Sequence, residues 1–387
     1  MQLLLALRRI GPYHHARFSS AAEYLQPVIA LQVLETRPQS AEYPWRFHPQ
    51  AAYAIHQIRG QLHRDADPPL PPLRSQFQAL LAEVQPEVIV SVGWADRAYQ
   101  QLLVLAQQRR IPVVLISDSR LRDEPRIAAK EWFKRQLLRG YSAALAAGQE
   151  SRAYLRGLGF PPAAIFQPWD VVDNAFFQRS AVQAAPRQHR FLCVSRLVIK
   201  KNHQGLLEAY ASYQQQGGNW GLQLVGSGPL EALIRSQISV LPHPERVQLL
   251  PFCQLHELGR LYGRASAFVL ASSTDQWGLV VNEAMAAGLP CLVSRACGCA
   301  VDLIEHNRTG WCFDPSNPRA LAELMHTAER QPLVQRAAMV AAARQRLESF
   351  TPKTFADGLR AAVDQAIRQP RFSRRAALTA ALLSRLA

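Results

Sequence analysis

Two carboxylates eight positions apart, Asp275 and Glu283, mark the stretch ASSTDQWGLVVNEAMAAGLPCLVS (271–294). A short apolar strand over 267–271 opens there into a polar loop, turns at Gly278, and enters a small-residue helix that Glu283 begins. Carboxylates so placed accept hydrogen bonds from sugar hydroxyls, and the N–H groups of a helix start, around Leu279 and Val280, bind phosphate. A second group is cationic. Arg196 follows a buried strand over 191–195, and Lys201 comes five residues later at a helix start, with Asn202 beside it. A guanidinium grips a diphosphate through paired hydrogen bonds, and an ammonium acts on it as a point charge. Gly226 and Gly228, in GSGP after the strand 222–225, let backbone approach a ligand closely. Together these residue types suit a sugar joined to a nucleoside diphosphate.

Strands alternating with helices must position them, which predicts parallel sheets with crossover helices. In the first half the strands are expected at 2–7, 28–34, 88–92, 113–117, 143–147 and 165–167. Helices are expected near 20–25, 73–83, 97–109, 126–138 and 150–158, and the Pro-rich 68–72 reads as a loop. In open α/β sheets ligands sit beyond the carboxyl ends of strands, where the acidic loop falls. The 387 residues suit two domains, and the net charge of +15 implies an acidic partner. Basic residues are dispersed and no nucleic-acid module recurs, so a nucleotide-sugar or an anionic lipid surface is the better expectation. The six cysteines form no CxxC pair, which argues against a zinc site. The apolar run 3–7 has its arginines after it, so it reads as a first strand and not a signal peptide. No run reaches the roughly 20 apolar residues a membrane span needs.

The residues 190–320 resemble the large family of retaining glycosyltransferases with the GT-B fold, the group 1, family 4 type. The match runs through RFLCVSRLVIKKNH, GSGP, the acid-x7-acid signature with EAMAxGxP, the loop Cys297–Gly298–Cys299, and the Gly310 to Pro315 close. FQPWDVVDNAFF (166–177) is similar to the family's junction into the second domain. The resemblance implies an α/β protein in which two Rossmann-like domains face each other across a cleft. Its expected parts are an acceptor domain (1–177), a linker (178–188), a nucleotide-sugar domain (189–350), a helix crossing back (351–370) and a basic tail (371–387).

It also implies roles. Arg196, Lys201, Asp275 and Glu283 are the catalytic set: the cations hold the leaving diphosphate, Asp275 the donor sugar, Glu283 the ribose. Gly11, His14, Asp118, Asn202, Gly226, Gly228, Gly278, Leu279, Val280, Cys297 and Gly298 line the substrates. No metal and no cofactor beyond the donor is expected. Several positions depart from the family pattern: Asp275 and Asp302 stand for Glu, Ser117 for a sugar-contacting His, Cys297–Gly298–Cys299 for a Gly-Gly loop, and Gly11 is a lone glycine in RRIGPYHHARF. His14 and His15 on that loop suit acceptor, donor phosphate or metal, although neighbouring residues point apart. Arg122, Arg126, Lys130 and Lys134, four apart, lie loosely along one helical face with Glu124 and Glu131 nearby. This suits a solvated face laced with ion pairs or a docking surface for an anionic acceptor. The tail, with four arginines and Leu378, Leu382 and Leu386 on one face, suits an anionic membrane surface or packing on the protein. The implied activity is transfer of a sugar to a glycan, lipid-linked or small-molecule acceptor in cell-surface polysaccharide or glycolipid synthesis. Such an enzyme would sit in the cytoplasm at the inner face of the plasma membrane. The alternatives are a nucleotide-sugar-binding protein of the same fold without transferase activity, and an NAD-dependent oxidoreductase. The second is excluded because the first loop lacks G-x-G-x-x-G.

Overall fold

A computed structural model describes residues 1–37, 44–46, 50–58, 70–184 and 186–386. The chain divides into two compact units, Met1–Val171 with Pro352–Ala387, and Val172–Thr351.

The first unit contains β1 (Gln2–Leu7), α1 (Pro12–Leu25), β2 (Ala30–Glu35), β3 (Ala54–Gln57), α2 (Leu70–Val84), β4 (Val88–Val92), α3 (Arg97–Arg109), β5 (Val113–Ser117), α4 (Ala128–Leu138), β6 (Ala143–Ala146), α5 (Gln149–Gly157) and β7 (Ile165–Phe166). Its strands pair in parallel in the order β3-β2-β1-β4-β5-β6-β7. The run Leu3–Leu7 is buried along its whole length, as a strand covered on both faces requires. Asp96 caps α3 by accepting from the Ala98 N–H at 2.9 Å.

The second unit contains α6 (Asn174–Gln183), β8 (Arg190–Val194), α7 (His203–Gln215), β9 (Gly221–Val225), α8 (Glu231–Ser239), β10 (Val247–Leu250), α9 (Leu255–Arg264), β11 (Ala267–Leu270), α10 (Leu279–Ala286), β12 (Cys291–Ser294), α11 (Cys299–Leu303), β13 (Trp311–Phe313), α12 (Pro318–Arg330) and α13 (Leu333–Leu347). Its parallel order is β10-β9-β8-β11-β12-β13. Phe191, Leu224, Val269, Tyr213 and Trp311 centre its core. In both sheets the order reverses beside the first strand of the unit, which leaves a crevice at the strands' carboxyl ends.

Four expectations are corrected. Segment 178–188, expected as a linker, is helical through Gln183, because Asp173 accepts from the Phe176 N–H at 2.9 Å and starts α6. The loop expected over 8–18 is helical from Pro12, with Gly11 as its N-cap and proline at the first helical position, where no N–H is needed. Of the loop expected at 68–72, residues 68–69 lie outside the described residues and α2 already begins at Leu70. The strand β3 was not foreseen, since its half-buried AIHQ lacks an apolar run.

The chain returns to the first unit through α14 (Pro352–Arg368), which packs on α1 and brings Phe355 against Phe18. The basic tail forms α15 (Arg374–Leu386), docked on α3 and α4. Small residues allow it: Ala376 and Ala380 are fully buried, and a Cβ at Gly140 would lie 2.9 Å from that of Ala376. The Ser373 N–H donates to Gln107 Oε1 at 2.7 Å and fixes the start of α15. Leu378 and Leu382 point outward, 71% and 48% exposed.

Candidate active site

At the carboxyl edge of the second sheet the loops after four strands are stitched together by backbone. The Ser195 and Leu197 N–H groups donate to Val225 and Ser227 carbonyls, tying the loop after β8 to that after β9. The Ser273 N–H donates to the Lys200 carbonyl at 2.9 Å, tying it to the loop after β11. Gly298 N–H donates to Asp275 O at 2.9 Å and Cys299 N–H to Trp277 O at 3.0 Å, which adds the loop after β12. Arg196, Lys201 and Asp275 therefore rise from neighbouring strands at the point where the order reverses.

Lys201 Nζ is paired directly with Asp275 Oδ2, and the two side chains are only 13% and 11% exposed. Glu283, expected to begin a helix, is instead the fifth residue of α10 and wholly buried. The start falls at Gly278, whose φ of 100° suits glycine, and the part-exposed Leu279 and Val280 form the first turn.

Several of the residues expected to line the substrates also have structural partners. Asn202 Oδ1 accepts from Gly205 N–H at 3.2 Å, and its Nδ2 donates to the carbonyls of Ala271 and Pro315. That amide locks α7 to the acidic loop. A Cβ at Gly226 would stand 1.9 Å from the Ser195 carbonyl oxygen, and one at Gly228 2.5 Å from that of Leu197. Close approach by the neighbouring loop thus explains both glycines. Gly226→Ala is expected to destabilise the protein by at least about 2 kcal/mol, read as a lower midpoint in urea. Cys297 is fully buried, and Gly298 is buried beside it as the N-cap of α11. Burial pushes the Cys299 thiol well above its ordinary range, which removes it as a nucleophile.

Two features escaped the sequence reading. Trp277 Nε1–H donates to Asn282 Oδ1 at 2.9 Å, both side chains buried, clamping the acidic loop onto the helix that carries Glu283. The only sequence signal is an indole five positions before an amide. His203, at the start of α7, lies 2.9 Å from Ser195 Oγ through Nε2, and burial followed by the charge of Lys201 holds its pKa down at about 4.

In the first unit His14 and His15 stand on α1. Gly11 N–H donates to His14 Nδ1 at 3.2 Å, which leaves Nε2 as the protonated nitrogen of the neutral ring. Burial, then the nearby charge of Arg17, pulls the His14 pKa down to about 3. Arg17, which the sequence reading overlooked, is itself buried. It donates from Nε to the Val171 carbonyl at 3.1 Å, pairs with Asp170 at 3.5 Å, and stacks on Trp169. Asp118 is exposed at the end of β5, and Ser117 is buried, its Oγ accepting from Ser119 N–H.

Both histidine pKa values lie below the ordinary value of 6.5, so the unfolded chain binds more protons across that interval. Stability is therefore complete above about pH 6.5 and falls as acid is added. Urea titrations from pH 7 to 4 should show this slope, and His203→Asn should flatten it.

The expected basic face is corrected. Arg122 and Arg126 precede α4, which starts only at Ala128, so the four-residue spacing does not lie on one helix. Arg120 pairs with Asp123 and Glu150, each at 2.8 Å, and Arg122 also pairs with Glu150. Arg126 and Lys134 meet Glu131 at 3.3 and 3.1 Å, and Tyr154 O–H donates to the same carboxylate. These charges neutralise one another and order the loop between β5 and α4. Among the described residues no three His, Cys, Asp or Glu side chains are grouped as a metal needs, and no helix is long and apolar enough to cross a membrane.

Two doubly wound parallel sheets with such loops at their carboxyl edges are the architecture of the GT-B fold class. Solved structures of that fold resemble this chain over most of its length. A glycosyltransferase from Rickettsia africae ESF-5 superposes with a TM-score of 0.72 at 13% identity, covering 95% of this chain and 99% of that one. Anabaena Alr3699/HepE, solved in complex with UDP and glucose, gives 0.71 at 18% identity, covering 94% and 99%. Within that class, residues 175–346 match the family described as Glycosyl transferases group 1, and the second unit is a member of it. The amylovoran biosynthesis glycosyltransferase AmsK of Erwinia amylovora is 36% identical over 142 residues, 35% of each chain. The putative colanic acid biosynthesis glycosyltransferase WcaL of Escherichia coli (strain K12) is 30% identical over 178 residues, 43% of this chain and 44% of that one. These alignments span less than half the length of either relative.

Proposed function

We propose that the protein is a retaining, metal-independent glycosyltransferase of cell-surface polysaccharide or glycolipid synthesis. Its donor is a nucleoside-diphosphate sugar and its acceptor a glycan or lipid-linked hydroxyl. The observation that carries the reading is the direct pairing of Lys201 with Asp275, on stitched loops at the reversal point of the second sheet. Arg196 and Lys201 hold the diphosphate, the first turn of α10 adds its N–H groups, Asp275 takes donor-sugar hydroxyls and Glu283 the ribose. The acceptor oxygen attacks the anomeric carbon on the face the diphosphate leaves. The glycosidic C–O bond forms as the bond to phosphate oxygen breaks, and that oxygen receives the acceptor's proton. The cations stabilise the charge that gathers on the diphosphate.

In the first unit, His14 offers a neutral Nε2–H donor. A transfer rate measured from pH 5.5 to 8 should therefore show no step from its titration, and His14→Gln should cost less than about tenfold.

The relatives' polysaccharide pathways support the substrate class, and a structural neighbour's UDP makes uridine the first base to try. Calorimetry with UDP, GDP and ADP, with and without EDTA, tests the donor site, and the anomeric configuration of the product tests retention. Saturable binding without turnover on any glycan or lipid-linked acceptor would favour the binding-protein reading. We further assign a cytoplasmic location at an anionic membrane surface, because Arg375, Leu378, Leu382 and Arg385 form an exposed stripe on α15. Protein that stays in the supernatant with anionic vesicles at physiological salt would remove that part.

A further inference from the structure

The amino edge of the first sheet carries a pocket of about 420 Å³. Trp132, Arg135, Gln136 and Arg139 of α4 and its C-terminal end line one side, with Phe160 and Arg371 opposite. Among the described residues, no carboxylate lines it. This differs from the loop before α4, where each arginine meets an acid.

The walls are fixed from several directions. Arg135 Nη2 donates to the Gly157 carbonyl at 3.3 Å. The Arg371 guanidinium lies 5.7 Å from the Phe160 ring centre, and its backbone N–H donates to Ser142 Oγ at 3.0 Å. Gln136 is 7% exposed at the pocket, whereas Trp132 is 54% exposed at its mouth. Arg139 and Arg371 both line the pocket, and burial and then the charge of Arg139 pull the Arg371 pKa below its usual value, so two like charges are held near each other. An anion between them would relieve that repulsion.

We propose that this pocket binds a phosphate ester, its phosphate gripped by Arg139 and Arg371 with Arg135 and its organic part against Trp132. Planar guanidinium groups match phosphate oxygens in pairs, and the indole face covers a carbon skeleton. The volume admits one headgroup-sized ligand and no polymer. The same chemistry is offered by a free organic phosphate and by a phospholipid headgroup. The site does not depend on the transfer reaction, because none of its residues belongs to the second unit.

The test titrates the full chain in 150 mM salt, about the physiological level, with glycerol 3-phosphate by calorimetry and with phosphatidylglycerol vesicles by sedimentation. Phosphatidylcholine vesicles serve as the neutral reference. Saturable binding of glycerol 3-phosphate assigns a free ester. Binding only to phosphatidylglycerol assigns a headgroup if the pocket variants lose it, since attachment through the α15 stripe would survive them. Either should weaken at least tenfold in Arg139→Gln/Arg371→Gln, while UDP binding and the melting temperature stay unchanged. Trp132→Ala, at a half-exposed ring, should independently weaken it at least threefold, which keeps the test valid if the double variant does not fold. Absence of both interactions in the wild type, or full affinity in the variants, would overturn the proposal. Loss of UDP binding with the pocket intact would instead strike the transferase reading.

Discussion

If the proposed transfer is the activity, Lys201→Met is expected to lower its turnover by about 10²- to 10³-fold, the usual cost of removing one group that stabilises charge in a transition state. The largely buried pair with Asp275 makes this substitution informative about stability too. Removing one partner strands a mostly buried carboxylate, which costs about 3 kcal/mol. Asp275→Asn strands the ammonium in the same way. The double variant Lys201→Met/Asp275→Asn removes both charges, so its melting temperature should return close to wild type while its activity stays lost. Melting curves and steady-state rates on the three variants make the check. A double variant that regains both stability and activity would reduce the pair to a structural bridge.

Glu283→Gln is expected to reduce nucleoside diphosphate affinity at least tenfold without lowering the melting temperature. A wholly buried carboxylate carries a desolvation cost that a neutral amide of the same shape largely avoids. A residue kept for the ligand should therefore separate binding from stability, as functional groups commonly do. Calorimetric titration with UDP beside a thermal melt gives both numbers. Unchanged binding with a melting temperature several degrees lower would make Glu283 a core residue and move the ribose site elsewhere.

The β-α alternation was legible because long apolar runs such as Leu3–Leu7 and the strand before Arg196 admit few other arrangements. The acidic loop was legible because its residue types are bound to a loop-helix start. What local pattern could not supply was partnership. Nothing in the spacing of Lys201 and Asp275 shows that they touch across two loops, and nothing near Arg122 shows that Glu150, on another element, receives it. Asn202 and Gly226 carried the residue types of ligand contacts, yet neighbouring backbone uses them. For the tail the sequence left both packing on the protein and a membrane surface open, and its packing face was the less conspicuous one. Its leucines drew attention to one face, while the small residues Ala376, Ala380 and Ser384 on the other made the docking surface.

The return of α14 and α15 to the first unit has a bearing on biosynthesis. As the ribosome delivers the chain, the first sheet emerges early but lacks the helices that cover α1 and α3. The second unit, Val172–Thr351, is continuous and can complete itself while the first still waits. Nascent first-unit surface around Phe18 and Leu103 thus stays open until α14 and α15 are made, which makes it a natural target for chaperones.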